Sequence, residues 1–252
     1  MNITFDSKTV IVTGAAHGFG RTIAQGFAAR GATVHICDVN EAGLEETLKL
    51  CGGKASAHIL DVGNRTAVQE AVAKIAAVSQ TIDILVNNAG GVRGQVGRPI
   101  EEISEADWQT IFDVNLSGAF FMSQAVAPTM KAQKSGRIIN ISSGAGLGIS
   151  LTGIQAYASA KAGQIGLTRQ LAHELGPWNI TVNNVAPGFV RSNPTTERQW
   201  EAMGEEGQAK LLQNIALKRL GKPEDIAAMV MFFASEFAGW VSGQVISVDG
   251  GK

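Results

Sequence analysis

The chain has 252 residues and a formal net charge of −1, so charge offers no broad attraction to nucleic acid or to an anionic membrane, and we expect neither as a partner. Charged residues make up only 17% of the sequence and apolar residues 45%, which predicts a surface partly covered by other copies of the chain. No apolar run is long enough to span a membrane or to form a signal-peptide core, so we expect a cytoplasmic protein.

The cysteines and histidines form no ligand pattern. Cys37 and Cys51 are not part of a CxxC pair, and the four histidines are scattered without a motif such as HExxH. The sequence therefore predicts no metal site, and it predicts cysteines that remain reduced.

The first predicted strand, residues 8–13, leads into a glycine-rich turn at residues 14–20 and then into a helix that Gly31 ends. In this context spaced glycines let the backbone approach a pyrophosphate, which faces the free N–H groups at the helix N-terminus. A plain β–α turn is the alternative. We favour a dinucleotide site, to which the turn contributes Gly14, His17, Gly18, Phe19 and Gly20.

A second strand, residues 32–37, ends at Asp38, about 20 residues beyond the glycine turn. A carboxylate there can accept hydrogen bonds from the adenosine ribose and repel a 2′-phosphate, so Asp38, with Val39 beside it, favours NAD over NADP. Capping the next helix is the alternative role, but Asn40 suits that position better. His17, which could carry partial positive charge, leaves the strictness of the preference open.

Two further strands also end in polar residues. The third, residues 55–60, is followed by Asp61 and Val62, where the carboxylate could accept from adenine, cap the next helix, or do both. The fourth, residues 82–86, closes at an Asn-Asn-Ala-Gly sequence at residues 87–90. Its amides could tie neighbouring backbone to a cofactor, or they could simply suit a turn.

The alternation of short apolar strands with helical stretches continues to a last strand at residues 245–248. This pattern predicts an α/β fold with a parallel sheet and helices on both faces. No Pro-, Gly- or Ser-rich linker interrupts it, so we expect one domain over residues 1–252.

The middle of the chain supplies polar groups inside apolar surroundings. A helix that is capped at Ser104 and continues, with a bend, to about Lys134 carries Asn115 in an apolar segment, where its amide must be hydrogen-bonded. The fifth strand, near residue 141, ends at a pair of hydroxyl groups, Ser142 and Ser143. These side chains are candidates for a catalytic site at the end of the sheet.

Tyr157 is the only tyrosine in the sequence, and Lys161 follows it by four positions. On a helix the two side chains share one face, and an ammonium group beside a phenol lowers the pKa of the phenol. The pair can then act as a proton shuttle near neutral pH. Taken alone, this spacing is more often a packing tyrosine beside a surface lysine.

Three segments are candidates for the substrate side: a flexible basic loop at residues 91–99, the glycine-rich loop at residues 144–155, and a polar stretch at residues 191–213 after the sixth strand. A polar excursion at the C-terminal end of a strand is typical of a lid in an open α/β sheet, so we predict a substrate lid at about 188–216. A solvated pair of surface helices is the alternative. The predicted substrate-binding residues are Arg93, Gln95, Ser143, Gln155, Tyr157, Phe189 and Trp200.

Taken in order, these motifs resemble the short-chain dehydrogenase/reductase family over essentially the whole chain. Each motif is weak alone, whereas the ordered set is specific. The resemblance implies a Rossmann-like, doubly wound parallel sheet of about seven strands and usually a homotetramer. The residues that carry it are Thr13, Gly14, Gly18, Gly20, Asp61, Asn87, Asn88, Ala89, Gly90, Asn115, Ser143, Tyr157, Lys161, Pro187 and Gly188.

The resemblance also implies roles for individual residues. Tyr157 is expected to be the general acid/base of a carbonyl–alcohol interconversion, with Lys161 lowering its pKa and holding the nicotinamide ribose. Ser143 is expected to hydrogen-bond the reacting oxygen, in preference to the more distant Ser142, and Asn115 to hold a water molecule beside Lys161. Further expected cofactor contacts come from Asn88, Ala89, Gly90, Tyr157, Lys161, Pro187, Gly188, Val190 and Ser192.

From these features we expect an NAD-dependent oxidoreductase that interconverts a secondary alcohol and a carbonyl. Arginines and amides with one tryptophan favour a small polar substrate such as a sugar, polyol or sugar acid. The alternative is a 3-oxoacyl-thioester or general ketone reductase that uses NADPH. A non-catalytic dinucleotide sensor is a further alternative, but it would need the glycine turn and not the catalytic side chains.

Overall fold

A parallel β-sheet forms the centre of the computed structural model, which describes residues 2–252. Within these residues its seven strands lie in the order β3-β2-β1-β4-β5-β6-β7, and neighbouring strands are parallel. The doubly wound α/β sheet predicted from the sequence is therefore confirmed. The strands are β1 (Thr9–Thr13), β2 (Thr33–Asp38), β3 (Ala55–Ile59), β4 (Ile84–Asn87), β5 (Gly136–Ile141), β6 (Ile180–Pro187) and β7 (Val245–Val248).

Helices cover both faces of this sheet, because a parallel sheet buries its strands on both sides. They are α1 (Gly18–Ala28), α2 (Glu41–Leu50), α3 (Arg65–Ser79), α4 (Glu105–Phe112), α5 (Gly118–Gln133), α6 (Gln155–Leu175), α7 (Pro194–Ala202), α8 (Gly204–Asn214) and α9 (Pro223–Ala234). Helix α1 packs against α9, and α3 packs against α5. These two helix pairs belong to separate apolar cores.

Side chains of the central strand β1 alternate between the two cores. Val10 and Val12 enter the core that contains Phe27 of α1 and Phe233 of α9. Ile11 points the other way, into the core beneath α3 and α5. Each fully buried side chain of this size contributes about 1.5–3 kcal/mol to stability. Both faces of the sheet are closed by apolar packing, so polar groups converge at the ends of the strands.

The connections open a crevice at the carboxyl end of the sheet. The chain places β2 and β3 on one side of β1, and β4 to β7 on the other side. The loops after β1 and β4 therefore leave in opposite directions, and ligands of open α/β sheets bind at such a point. The candidate residues of the sequence lie mainly in these loops and in those after β5 and β6.

The bend expected in the helix after Ser104 is a π-helical turn, Asp113–Ser117, which contains Asn115 and lies between α4 and α5. Asn115 is fully buried, and its side-chain amide donates to the carbonyl oxygen of Ile111 at 2.9 Å. In a regular α-helix that carbonyl accepts from the backbone of residue 115. We attribute the local widening to this competition for one acceptor.

The polar stretch after β6 forms the helices α7 and α8. Asn193 caps α7, because its side chain accepts from the backbone amides of Thr195 and Thr196, both at 3.0 Å. In return the hydroxyl of Thr196 accepts from the backbone amide of Asn193 at 3.2 Å. The surface helix pair that was the alternative to a lid is thus present, and its position at the site decides whether it is also a lid.

Two histidines form a pair between the sheet and α3. His35 on β2 is buried, with Nδ1 at 3.0 Å from Nε2 of His58 and Nε2 at 3.0 Å from the hydroxyl of Ser79. Burial, and then the neighbouring His58, lower the pKa of His35 to about 4, and burial also lowers the pKa of His58. Between about pH 4 and 6.5 the unfolded chain therefore binds more protons than the folded chain. The contribution of the pair to stability is present above pH 6.5 and is lost as the pH falls.

His35→Gln is expected to reduce the loss of stability on acidification. Between pH 7 and pH 5 the wild-type chain should lose about 1–2 kcal/mol through this pair, and the variant should lose correspondingly less because glutamine does not titrate. Denaturant unfolding at both pH values measures the difference, with the exposed His173 of α6, replaced by Gln, as the control. The same pH dependence in all three proteins would contradict the assignment.

Candidate active site

The turn after β1 holds two glycines in a conformation that other residues disfavour. Gly14 has φ +65° and Gly18 has φ +55°. A Cβ at Gly14 would lie 2.7 Å from Cα of Ala89, and one at Gly18 would lie 3.0 Å from the carbonyl oxygen of Ser192. Both positions need glycine, and together they leave a backbone cradle before the N-terminus of α1 that fits a pyrophosphate.

The third glycine of the turn, Gly20, supports the cradle from behind. A Cβ there would lie 2.1 Å from the carbonyl oxygen of Gly14, so only glycine lets the first turn of α1 pack onto the glycine turn. Gly20 does not line the cavity in front of the turn. The structure thus shows a packing role for Gly20, and its predicted cofactor contact stays a prediction.

Asn88 and Thr13 join the ends of β4 and β1. The amide Nδ2 of Asn88 donates to the carbonyl oxygens of Thr13 and Gly14, both at 3.0 Å. The hydroxyl of Thr13 accepts from the backbone amides of Asn88 and Ala89, at 3.1 and 3.0 Å. An asparagine amide thus ties neighbouring backbone together, and it holds the glycine turn in place.

Asp38 lies at the end of β2 and lines the cavity. Its two carboxylate oxygens accept from the backbone amides of Ala16 and Asn40, both at 3.0 Å, which fixes the orientation of the carboxylate. Asn40, and not Asp38, caps α2 as expected. The carboxylate of Asp38 therefore remains directed at the cavity, where an adenosine ribose would lie.

Asp61 and Val62 lie beside Asp38 in the cavity wall. One carboxylate oxygen of Asp61 accepts from the backbone amide of Gly63 at 2.9 Å. Asn64, and not Asp61, caps α3. Of the two roles that the sequence left open for Asp61, the helix cap is therefore wrong, and the adenine contact stays a prediction.

One cavity, about 730 Å³ in volume, connects the glycine turn with α6. Carboxylates line one end, the glycine backbone lies in the middle, and the tyrosine–lysine pair lines the other end. This order fits an extended nicotinamide dinucleotide. The predicted cofactor residues that line it are Gly14, His17, Gly18, Phe19, Asp38, Val39, Asp61, Val62, Asn88, Ala89, Gly90, Tyr157, Lys161, Pro187, Gly188, Val190 and Ser192.

Tyr157 and Lys161 lie one turn apart on α6, and both line the cavity. The Nζ of Lys161 lies 5.8 Å from the centroid of the Tyr157 ring, and it donates to the carbonyl oxygen of Ile141 at 2.9 Å. Only 3% of Lys161 is exposed. The amine is thus held between the end of β5 and the phenol.

Burial dominates the titration of this pair. It lowers the pKa of Lys161 to about 7 and raises the pKa of Tyr157, on which the Ser143 hydroxyl acts in the opposite direction. In the chain by itself, burial outweighs the expected lowering, and the effect of Lys161 on the phenol pKa stays a prediction. An amine with a pKa near 7 is only about half protonated at neutral pH, and the phenol has lost its own hydration.

Of the two serines after β5, Ser143 is the one that interacts with the phenol. The hydroxyl of Ser142 is buried and donates to Oδ1 of Asn184 on β6. The hydroxyl of Ser143 accepts from the backbone amide of Ala145 at 3.1 Å, and its hydrogen bond to Tyr157 lowers the pKa of the phenol. These contacts support the preference for Ser143 as the partner of the reacting oxygen.

Asn115 lies behind the cavity wall and does not line it. Its Oδ1 accepts from the backbone amide of Gly91 at 2.9 Å, and its Nδ2 donates to the carbonyl oxygens of Gly91 and Ile111 at 2.8 and 2.9 Å. A Cβ at Gly90 would lie 2.7 Å from this Oδ1 and 3.2 Å from Nζ of Lys161. Asn115 thus holds the loop after β4 against the amine, and its predicted water-binding role stays a prediction.

On the substrate side, Arg93 and Phe189 line the cavity together with Ser143 and Tyr157. Trp200 does not line it, because its ring lies beside that of Phe189, with the centroids 6.2 Å apart. Trp200 lies beside Phe189, and its predicted substrate contact stays a prediction. The aromatic pair keeps α7 close to the loop after β6.

The two predicted glutamines use their amides within the protein. Gln95 donates to the carbonyl oxygen of Asp107, and Gln155 donates to that of Arg98, both at 2.9 Å. Neither glutamine lines the cavity, so their predicted contact with substrate is not supported. Sequence indicated the right loops, but the direction of each amide depends on the neighbouring carbonyl groups.

Three groups of residues line the cavity although none of their members was predicted from the sequence as a site residue. Alternating aliphatic residues in the loop after β5 and the i, i+3 spacing on α7 were available signals for the first two groups. The third group offered none, because its position depends on the pairing of β7 with β6. The groups are Leu147, Ile149 and Leu151; Asn193, Thr196 and Gln199; and Ser247, Asp249 and Lys252.

The position of α7 bears on the predicted substrate lid at about 188–216. Its cap, Asn193, and one face of the helix, at Thr196 and Gln199, border the cavity, while α8 is outside the lining. Of the two surface helices, α7 is therefore also a wall of the site. The predicted closing motion of this segment stays a prediction.

The side chains can perform a proton transfer at an oxygen. The hydroxyl groups of Ser143 and Tyr157 can both hydrogen-bond a carbonyl or alcohol oxygen, and the phenol can give or take the proton. A nicotinamide dinucleotide, when bound, supplies or accepts the hydride. The chain itself must then provide orientation, a proton partner and a hydrogen bond to the oxygen.

Within residues 2–252, no helix is long and apolar enough to cross a membrane. The same residues contain no cluster of three or more His, Cys, Asp or Glu side chains that could hold a metal ion. Cys37 and Cys51 are free thiols, and both are buried.

Comparisons with known proteins agree with this geometry. The family model described as enoyl-(acyl carrier protein) reductase matches residues 14–252. The 3-oxoacyl-(acyl-carrier-protein) reductase of Thermotoga maritima is 39% identical over 98% of each chain. A subunit of (2S)-((R)-hydroxy(phenyl)methyl)succinyl-CoA dehydrogenase of Thauera aromatica is 40% identical over 98% of this chain and 96% of its own. Among solved structures, levodione reductase superposes with a TM-score of 0.91 at 30% identity and covers 98% of each chain.

Tyr157→Phe is expected to lower turnover by about 10²–10⁴-fold, because it removes the proton donor and keeps the ring. Binding of the reduced cofactor, followed by its fluorescence, should stay within about twofold, since the cradle and the acidic end are untouched. That titration is the control for folding. Turnover equal to that of the wild type would contradict the role of the phenol.

Proposed function

This chain belongs to the short-chain dehydrogenase/reductase family, and we propose that it interconverts 3-oxoacyl and 3-hydroxyacyl thioesters with NAD(H) as its cofactor. The reaction class, oxidation and reduction between CH–OH and carbonyl groups, comes with the family. The substrate class and the cofactor preference rest on two separate features of the cavity, its aliphatic loop and its acidic end.

The observation that carries the thioester proposal is an exposed aliphatic strip in the cavity wall. Leu147, Ile149 and Leu151, on the loop between β5 and α6, are 51%, 99% and 58% exposed, and all three line the cavity. Grouped aliphatic side chains in contact with water mark a binding surface. An acyl chain or a pantetheine arm would bury this strip, whereas the hydroxyl groups of a sugar would not use it.

This strip favours a different substrate from the one that the sequence favoured. The sugar-like substrate rested in part on Gln95, Gln155 and Trp200, and these three residues lie outside the cavity lining. The names of the two curated relatives describe an acyl-carrier-protein thioester in one case and a coenzyme A thioester in the other. Both likenesses support the thioester alternative for this chain.

Proton transfer at the 3-oxygen follows from the side chains. In the reductive direction the oxygen lies between Ser143 and Tyr157, and the phenol donates its proton while the serine hydroxyl holds the oxygen. Burial raises the pKa of Tyr157, so the phenol is protonated at neutral pH and ready to donate. As the phenol loses its proton, protonation of the nearby Lys161 offsets the new negative charge.

The preference for NAD(H) is supported by the charges at the adenosine end. Asp38 and Asp61 line that end, while the Lys and Arg residues among the described lining residues are Arg93, Lys161 and Lys252, which belong to the catalytic side. A 2′-phosphate beside Asp38 would meet a carboxylate that two backbone amides hold in place. Repulsion between these like charges disfavours NADP(H).

A non-catalytic dinucleotide sensor is disfavoured by the burial of Lys161. A sensor needs the backbone cradle and the ribose carboxylate, but it gains nothing from an amine that is 3% exposed. Burying such a group costs free energy, and buried titratable groups in a cleft are typical of catalytic sites. Support of proton transfer at Tyr157 is the proposed task of this amine.

The homotetramer implied by the family resemblance is part of the proposal. Trp240 is fully exposed, and Phe237 and Phe120 are 50% and 40% exposed. Aromatic side chains of this size at the surface are typical of contacts between subunits. Together with the low charge content, they support self-association of the chain.

The substrate proposal is tested by turnover with NADH on acetoacetyl-CoA, a 3-oxoacyl thioester, and on a panel of ketoses and keto sugar acids. The expected kcat/KM for the thioester exceeds that for every sugar by at least about 100-fold, because only the thioester covers the aliphatic strip. Oxidation of 3-hydroxybutanoyl-CoA with NAD⁺ should give the same ranking against polyols. Turnover confined to sugars or polyols would falsify the substrate proposal.

Asp38→Asn is expected to shift the cofactor preference towards NADPH. Loss of the charge should lower the NADH/NADPH ratio of kcat/KM by about 10-fold or more, because hydrogen bonds to a charged group contribute roughly 1.5–3 kcal/mol. Asp61→Asn is the matched control, since Asp61 also lines the cavity but interacts with Gly63. An unchanged ratio in Asp38→Asn, or the same change in both variants, would contradict the assignment.

A further inference from the structure

The loop after β4 contains a turn whose sequence does not suit its backbone. The backbone amide of Gln95 donates to the carbonyl oxygen of Val92 at 2.8 Å. The two residues between them, Arg93 and Gly94, have φ angles of +49° and +78°. These are the features of a type I′ turn, in which Asn or Gly is favoured at the first central position. An arginine there is strained, so the backbone alone does not explain it.

Both ends of this turn are fixed to the wall of the active site. Val92 packs in a small apolar cluster that includes Tyr157. Gln95 is held by the carbonyl oxygen of Asp107 at 2.9 Å. Arg93 lies one residue beyond the Val92 anchor and lines the cavity. The strained arginine is therefore presented from a rigid support beside the catalytic tyrosine.

Arg93 has its charge available, in contrast to the other arginine of this loop. Arg98 donates to the carboxylate of Asp107 at 2.7 Å. Arg93 makes no side-chain hydrogen bond or ion pair with any residue in the described part of the chain, 2–252. The other charged residues that line the catalytic side of the cavity are Lys161, Lys252 and Asp249. This side thus carries net positive charge, opposite to the acidic adenosine end.

We propose that Arg93 binds an anionic group of the substrate, namely a carboxylate on the acyl chain or a phosphate of its pantetheine carrier. This inference rests on the proposed thioester function and names a group that the thioester must carry. Carboxylate and phosphate oxygens both match the planar fork of a guanidinium group. Because both ends of its turn are held by contacts, Arg93 selects among thioesters, while proton transfer remains with Tyr157.

Binding of unreactive thioesters to the NADH-loaded protein separates the two sources of the anion. Butanoyl-N-acetylcysteamine is neutral, the adipoyl analogue adds a terminal carboxylate, and butanoyl-CoA adds phosphates. None of them has a 3-oxo group, so calorimetry measures binding alone. The variants are Arg93→Asn, which suits the positive φ, and Arg93→Lys, which keeps the charge. Arg30→Gln, an exposed arginine just after α1, is the control.

In Arg93→Asn, binding of one of the two anionic thioesters is expected to weaken by at least about tenfold, and the neutral thioester by less than about twofold. Weakened adipoyl binding identifies the acyl carboxylate, and weakened CoA binding identifies the carrier phosphate. The affinity of Arg93→Lys for that anionic thioester should lie between the affinities of Arg93→Asn and the wild type. Arg30→Gln should bind it as tightly as the wild type does. The thermal midpoint of Arg93→Asn should not fall, because asparagine tolerates the turn better. Equal weakening for all three ligands, or for none, overturns the role of Arg93.

Turnover of the corresponding 3-oxo thioesters tests the proposed function separately. Where they react, the decrease in kcat/KM of Arg93→Asn should come from a higher KM. Its kcat should stay within about twofold of the wild-type value, since Arg93 takes no part in the proton transfer. If the wild type binds these thioesters and converts none of them, the thioester activity is wrong, and the binding series still decides the role of Arg93. If the wild type binds none of them, both proposals are wrong.

Discussion

At 3% exposure the amine of Lys161 has lost nearly all of its hydration, and its pKa falls to about 7. A shift of this size corresponds to a penalty on the order of 5 kcal/mol for the protonated form. The carbonyl oxygen of Ile141, at the end of β5, is the acceptor that the structure provides for this amine. Gly90 leaves room for its approach, and Asn115 holds the adjacent loop against it. The ends of two strands, a π-helical turn and α6 are thus all adjusted to this one buried side chain.

The same burial explains how the site can move a proton. Raising the pKa of Tyr157 keeps the phenol protonated, while a lysine that titrates near neutral pH can take up charge when the phenol gives up its own proton. The cradle at Gly14 and Gly18 and the carboxylate of Asp38 then determine which dinucleotide lies beside this pair. Cofactor choice and proton transfer are separated along one cavity, so each can be changed without the other.

Much of the fold could be predicted from the sequence because strands such as β1 are buried on both faces and read as short continuous apolar runs. The catalytic positions followed from fixed spacings, as for Tyr157 and Lys161 on one helix face. The directions of Gln95 and Gln155 could not be predicted, because each amide turns to a carbonyl oxygen contributed by another segment. The raised pKa of Tyr157 also required the structure, since spacing indicates a neighbouring charge but not the extent of burial. The alternation of Leu147, Ile149 and Leu151 indicates that they share one side of the loop, but whether that side is exposed depends on which other loops leave it uncovered.

The central claim, that burial sets the proton affinity of the site, can be tested on one group. Tyr157 is the only tyrosine in the chain, so its ionisation can be followed by ultraviolet absorbance without assignment. Burial should hold the pKa of Tyr157 above the usual value of about 10 in the protein alone, and added NAD⁺ should lower it by about one unit or more, because the positive nicotinamide ring stabilises the phenolate. A pKa at or below about 10 in the protein alone, or no change on adding NAD⁺, would contradict the central claim.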